Sequence, residues 1–174
     1  MSDIAIAGYV AVTTSREAVF AAFYQRNIDS LTRSLAATLG DSQLAQEAAQ
    51  EAMTRACERW KKVSAYDNPT GWCYRVALNW STSRWRKRRR EVVTDQVRPL
   101  TISIENPDIE LQDRLVTALG ALSLEHRAVI VLRLIEDWSI AETAEALGLA
   151  TGTVQSRYAR ALRRLREEFG ELDE

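Results

Sequence analysis

Two stretches of the chain concentrate arginine at spacings that suit a polyanion. In RWRKRRR, residues 84 to 90, six of seven side chains are basic and they flank Trp85. Like charges three and four residues apart destabilise a helix unless an anion relieves them, so this run suits phosphates. Tyr74, Arg75, Asn79 and Trp85 extend it along one helix, where the aromatic rings suit unstacked bases. A solvated basic tail is the alternative. TGTVQSRYARALRRLREE, residues 151 to 168, predicts a second such helix. Val154, Tyr158, Leu162 and Leu165 form one apolar stripe, which leaves Thr153, Gln155, Ser156, Arg157, Ala159, Arg160, Arg163 and Arg164 to solvent or a partner.

The elements that must hold these faces are punctuated clearly. Ser139 and Glu142 make an S-x-x-E capping box that opens a short helix through Leu147, and Gly148 ends it. Thr151-Gly152 opens the next, with Thr151 taking the cap. Helix, short glycine turn, helix is the helix-turn-helix pattern, whose second helix lies in a DNA major groove. A plain helical bundle with surface arginines shows the same stripe and stays open as an alternative. Upstream, Leu111, Leu115, Ala118, Leu119 and Leu122 predict a helix, Ser123 caps the next, and Ala128, Val129, Leu132 and Ile135 continue it.

In the first half, Phe20, Tyr24, Ile28, Leu31, Leu35 and Leu39 recur at helical spacing, and Gly40-Asp41 ends that helix and caps another. The second helix buries Leu44, Ala45, Ala48, Ala49, Ala52, Met53, Ala56, Cys57 and Trp60, small side chains that permit close packing. Its other face, with Glu47, Gln50, Glu51, Arg55 and Arg59, reads by itself as a solvated surface with i,i+4 ion pairs. Asn68-Pro69 breaks the chain and starts a third helix, packed through Trp72, Cys73, Val76, Ala77 and Trp80.

The formal net charge of −1 conceals an asymmetry: residues 1–90 hold fourteen Lys and Arg against eight Asp and Glu, and residues 91–174 hold nine against sixteen. Between them EVVTDQVRPLTISIENPDIE has two prolines and no sustained helical period, which predicts a linker. The fold class that follows is all-α: two small helical domains, 16–90 and 109–174, joined by an extended linker at 91–108 and preceded by an N-terminal extension, 1–15. No run of eighteen apolar residues exists and MSDIAIAGYVAV lacks the form of a secretory signal, so no membrane insertion and a cytoplasmic location are expected. Cys57 and Cys73 read as small buried hydrophobes. With His126 the one histidine and no phosphate-cradling glycine loop, no catalytic residue, metal or cofactor is expected.

Four blocks together carry a resemblance. DSQLAQEAAQEAMTRACERW, NPTGWCYRVALNWSTSRWRKRRR, ALSLEHRAVIVLRLIEDWSIAETAEALGL and TGTVQSRYARALRRL resemble, in content and order, the sigma factors of bacterial RNA polymerase, of the extracytoplasmic-function (ECF) group. The resemblance implies a sigma region 2 bundle at 16–90 and a sigma region 4 helix-turn-helix at 109–174. It implies that the chain binds core RNA polymerase through its clamp helices and flap, recognises −35 and −10 promoter elements, helps to open the DNA, and answers to an anti-sigma factor. Glu47, Gln50, Glu51, Arg55 and Arg59 would then bind core polymerase. Trp72, Arg75, Asn79, Arg84, Trp85, Arg88 and Arg89 would face the opened −10 strand, with Lys61, Lys62, Tyr66, Asp67 and Asn68 around a pocket for an extruded base. Thr153, Gln155, Ser156 and Arg160 would read duplex −35 DNA, where arginine suits guanine and glutamine adenine, with Arg133 and Arg157 as phosphate contacts and Arg164 also binding the −35 DNA. Ser83, Thr143, Ala150 and Ala159 depart from the family pattern. The rival readings are a stand-alone helix-turn-helix regulator and a sigma mimic held by a partner.

Overall fold

The computed structural model describes the backbone of residues 3–91 and 109–171 and the side chains of 15–84 and 114–168. Nearly all of the predicted linker, 91–108, lies outside the described residues, as do the side chains of Trp85, Arg88 and Arg89.

The first half is four helices: α1 (Asp3–Leu39), α2 (Ser42–Glu58), the single turn α3 (Trp60–Val63) and α4 (Pro69–Glu91). Helix α1 starts at Asp3 and runs unbroken across residue 15, since Gly8 is its one glycine and it has no proline. Gly40 ends it at φ 71°, a conformation open to glycine. Asp41 Oδ1 then accepts from the Leu44 N–H at 2.9 Å to cap α2. The alanines of α2, Ala45, Ala48, Ala49, Ala52 and Ala56, are all fully buried, and α2 packs against both α1 and α4. Phe20, Phe23 and Trp60 close the end of this core, with Trp60 4.8 Å from Phe23 between ring centroids. Cys73 is buried, and burial pushes its thiol up to about 12. Cys57, by contrast, is exposed on α2, because its position turns away from the alanine stripe.

The second half is α5 (Ile109–Gly120), α6 (Leu124–Ile130), α7 (Ile140–Leu147) and α8 (Thr151–Glu171), with a π-helical turn, Val131–Ile135, after α6. Ser123 caps α6 as expected. The π turn alters one expectation. Its wider winding delays the register by one residue, so Leu132 stays buried while Ile135, three residues on, rotates out to 51 % exposure. Asp137 follows in the left-handed region, φ 53°, and reverses the chain so that Trp138 N–H reaches the Leu132 carbonyl at 3.0 Å.

The two halves touch. Leu132 and Ala146 of the second half are buried in the core of the first, and Ala37 of α1 is buried in the core of the second. Helix α4 meets α7, and α1 meets both α6 and the π turn. Among the described residues no helix is long and apolar enough to cross a membrane.

Candidate nucleic-acid interface

The predicted helix-turn-helix forms with its punctuation intact. Ser139 Oγ accepts from the Glu142 N–H at 3.1 Å while the Ser139 N–H donates to Glu142 Oε2 at 2.8 Å. The Ser139 hydrogen bonds hold the Glu142 carboxyl below its usual range. Gly148 ends α7 at φ 65°. Helix α8 starts from the Ala150 carbonyl, which accepts from Thr153 and Val154 at 3.0 and 3.1 Å. The cap position is therefore Ala150, which has no side-chain acceptor, and Thr151 lies inside the first turn rather than capping it. Thr143, where the family pattern is aliphatic, is fully buried, and its Oγ1 has no hydrogen-bond partner among the described residues.

Val154, Ala161 and Leu165 seat α8 on the core, with Tyr158 and Leu162 partly buried. This leaves Gln155, Ser156, Ala159 and Arg160 exposed along one side and Thr153 half-buried. Arg160 makes no ion pair or hydrogen bond among the described residues. Ser156 Oγ donates back to the Thr153 carbonyl at 3.0 Å. Arg157 pairs with Glu125 at 2.9 Å, and Arg164 with Glu168 at 2.5 Å and Glu167 at 3.5 Å. Arg133 is turned inward: its Nη1 donates to the Trp138 carbonyl, and its guanidinium stands 5.4 Å from the Tyr158 ring centroid. It ties the π turn to α8.

The start of α4 gathers a second group. Asn68 Oδ1 accepts from the Gly71 N–H at 2.7 Å, so Asn68 caps α4 with Pro69 in the first turn. Tyr66, Asn68, Trp72 and Arg75 line one pocket of about 230 Å³ together with Gly71, Glu145 and Ala146. Lys61, Lys62 and Asp67 are exposed and do not line it, and Asn79 is exposed further along α4. Arg84 lies 5.0 Å over the Trp80 ring and reaches Glu47 at 3.5 Å. Tyr74, read from sequence as part of this surface, is a core residue: it is 1 % exposed and shares a 2.6 Å hydrogen bond with Thr38. It belongs to the first-half core, and Trp138 of the other half packs edge-on against it at 6.4 Å.

On α2, Glu51 and Arg55 pair at 2.7 Å, and Arg59 is exposed. Gln50 Nε2 donates to Tyr24 Oη at 2.9 Å. Glu47 and Gln50 edge an open groove of about 890 Å³ between α1 and α2.

Glu145 and Ala146, residues of the second half, were missing from the sequence-based pocket, and only Gly71 gave a signal. A glycine in the first turn of a helix costs propensity, and here a Cβ would stand 2.8 Å from Nδ2 of Asn68, the side chain that caps α4, and 3.3 Å from the Ala146 Cβ. Arg127 was missed too. It is half-buried with Nε and Nη1 unpartnered among the described residues, and burial pushes its pKa down.

Fold and exposed faces define a two-unit helical protein with a helix-turn-helix DNA-binding unit. Residues 23–91 match the family model for sigma-70 region 2 and residues 112–165 that for sigma-70, region 4. The chain is 35% identical over 156 residues to RNA polymerase sigma-E factor of Streptomyces avermitilis, covering 88% of this chain and 87% of that one. It is 35% identical over 161 residues to the ECF RNA polymerase sigma factor SigL of Mycobacterium tuberculosis, covering 89% and 91%. Among solved structures it is similar to the sigma factor RpoE in complex with the anti-sigma factor NepR from Bartonella quintana. The TM-score there is 0.72, with 27% identity over 87% of this chain and 96% of that one. The chain belongs to the ECF group of the sigma-70 family. Its function is that of an RNA polymerase sigma factor that directs transcription to promoters.

Proposed function

We propose that this function is divided among three faces: α2 for core polymerase, the α3–α4 surface for the opened −10 strand, and α8 for the −35 duplex. The observation that carries the division is α8. A helix seated on its core by Val154, Ala161 and Leu165 leaves Gln155 and Arg160 exposed, side chains suited to adenine and guanine edges. Arg157 and Arg164, paired with carboxylates, are placed to exchange those partners for phosphates. Arg133 acts behind this face by fixing α8 to the π turn. Tyr66, Asn68, Trp72 and Arg75 share a pocket that combines aromatic, amide and guanidinium groups, the set that holds an unstacked base. The exposed Glu51–Arg55 pair and the groove edged by Glu47 and Gln50 supply the face for polymerase.

On this reading the polymerase performs the nucleotide chemistry in the cytoplasm, and the chain supplies promoter choice and strand opening without a catalytic group of its own. The similarity to a sigma factor solved with an anti-sigma factor supports an anti-sigma partner here as well. The test adds the purified chain to sigma-free core polymerase and sequences the transcripts. Wild type yields a defined set of start sites. Glu51→Arg combined with Arg55→Glu lowers polymerase association while circular dichroism stays helical. Unchanged association would remove α2 from the interface.

A further inference from the structure

Asparagine is a poor residue for the middle of a helix, because its amide competes for backbone groups. Asn27 nevertheless sits inside α1, half-buried, with both ends of its amide bonded. Its Nδ2 donates to the Phe23 carbonyl at 2.7 Å, one turn back. A carbonyl can only accept, so this bond fixes which way the amide faces and leaves Oδ1 as the end that meets α4. Oδ1 then accepts from Thr70 Oγ1 at 3.0 Å, across 43 positions of chain. Thr70 is the second residue of α4.

The same turn is gripped from its other side. Asn68 Oδ1 accepts from the Gly71 N–H at 2.7 Å, and a Cβ on Gly71 would stand 2.8 Å from Asn68 Nδ2, so the cap lies directly on the backbone. Pro69 between them has a fixed φ. The pocket residues fan out from this turn: Asn68 and Gly71 are part of it, and Trp72 and Arg75 follow on the same helix. Neither Asn27 nor Thr70 lines the pocket. Their bond touches no lining side chain directly, yet it pins to α1 the turn that carries them.

We infer that Asn27 and Thr70 are a positioning pair for base selection by the α4 pocket. This rests on reading that pocket as the site of an unstacked base of the −10 strand. A site chooses among bases only when its groups are held to within about 0.5 Å of the productive geometry. Without the tie to α1, the first turn of α4 keeps its Asn68 cap and stays helical, but it is free to shift against the rest of the bundle. Contacts to phosphates carry affinity without sequence information. Loss of the pair therefore acts on the choice of base more than on the strength of binding.

The test uses holoenzyme assembled from the full-length chain and sigma-free core polymerase. The probe is a pool of random single strands of about 12 nucleotides. Retained strands are sequenced, and those retained by core polymerase alone are subtracted. The readout is the ratio of the best base to the next at the most selective position, alongside total retention. Asn27→Ala and Thr70→Val are each expected to lower that ratio about threefold, with total retention within about twofold of wild type. Thr70→Ser keeps the hydroxyl and is expected to keep the ratio. The double variant Asn27→Ala with Thr70→Val is expected to lose no more than either single one, since the two side chains act through one bond.

An unchanged ratio in both single variants, even with lowered thermal stability, makes the pair purely structural and overturns the inference. Additive losses in the double variant overturn it too, as does a Thr70→Ser ratio as low as that of Thr70→Val. The pocket reading fails separately. If wild type shows no preferred base, or Trp72→Ala leaves the ratio at the wild-type level, base choice is made elsewhere and the inference falls with the pocket. A ratio lost in Trp72→Ala but kept in Asn27→Ala and Thr70→Val leaves the pocket standing and removes only the pair.

Discussion

Along α4 and at its cap, three of the polar groups facing DNA in the proposed reading already have partners. Asn68 caps its own helix, Arg75 donates to the Ala146 carbonyl, and Arg84 lies on Trp80 and reaches Glu47. Along α8 Gln155 and Arg160 are exposed, half-buried Arg157 pairs with Glu125, and Arg164 pairs with Glu167 and Glu168. Two arginine-bearing helices on one chain thus differ in what must be broken before they meet DNA. For α8 the cost is the exchange of ion pairs, of which Arg164–Glu167, exposed on both sides, is worth about 0–1 kcal/mol. For Arg75 on α4 it is the separation of two packed halves. The lesson is that a run of basic residues does not disclose its availability, since that depends on residues distant in the chain.

The largest effect that could break this contrast concerns the contact between the halves. Leu132 is fully buried, and it lies in a core built mainly from first-half residues. Leu132→Ala is expected to destabilise the protein by about 2–5 kcal/mol. Urea denaturation followed by circular dichroism is expected to show one transition for wild type, moved to lower urea in the variant. Two separate transitions in wild type, with only the second-half one shifted, would mean that α4 does not lean on the other half.

Next comes base reading on the open helix. Arg160→Ala is expected to cost about 1–3 kcal/mol of holoenzyme affinity, and only on promoters with the preferred −35 base. Equal weakening of two promoters that differ at that base would make Arg160 a phosphate contact and bring α8 closer in kind to α4.

Two smaller effects sharpen how well α8 is seated. The buried Thr143 hydroxyl has no partner among the described residues, so Thr143→Val, nearly isosteric, is expected to raise stability by about 1 kcal/mol. A drop in the urea midpoint would show that the hydroxyl is satisfied in solution. Ala150→Ser places a side-chain acceptor where α8 starts without one, with an expected gain of about 0.5–1 kcal/mol and no change in promoter preference. A changed preference would place position 150 among the groups that touch DNA.

Much of this was legible before any coordinates. Helix ends were readable at Gly40-Asp41, at Ser139 with Glu142 and at Gly148, because each is decided by hydrogen bonds that reach three or four residues. The buried side of α8 was readable because one helical period decides it. Other positions were not. Ile135 fits the apolar period, and only the π turn takes it off the core. Tyr74 has the composition of a base-stacking residue, and Thr38 and Trp138 make it part of the interior.

The sequence by itself determined the all-α class, the helix-turn-helix, the order of the two units and which side of α8 faces outward. These follow from local propensity, capping and periodicity, and neighbours within a few residues carry all of them. Tertiary structure alone decided that the α4 pocket has a wall from the second half, that Glu136 is held by Ser30 and Ser34, and that Arg75 reaches Ala146. Those partners lie 71 to 106 positions apart in the chain. A single sequence contains no local signal for such pairings, because they exist only once separate hydrophobic faces have packed and brought the groups together.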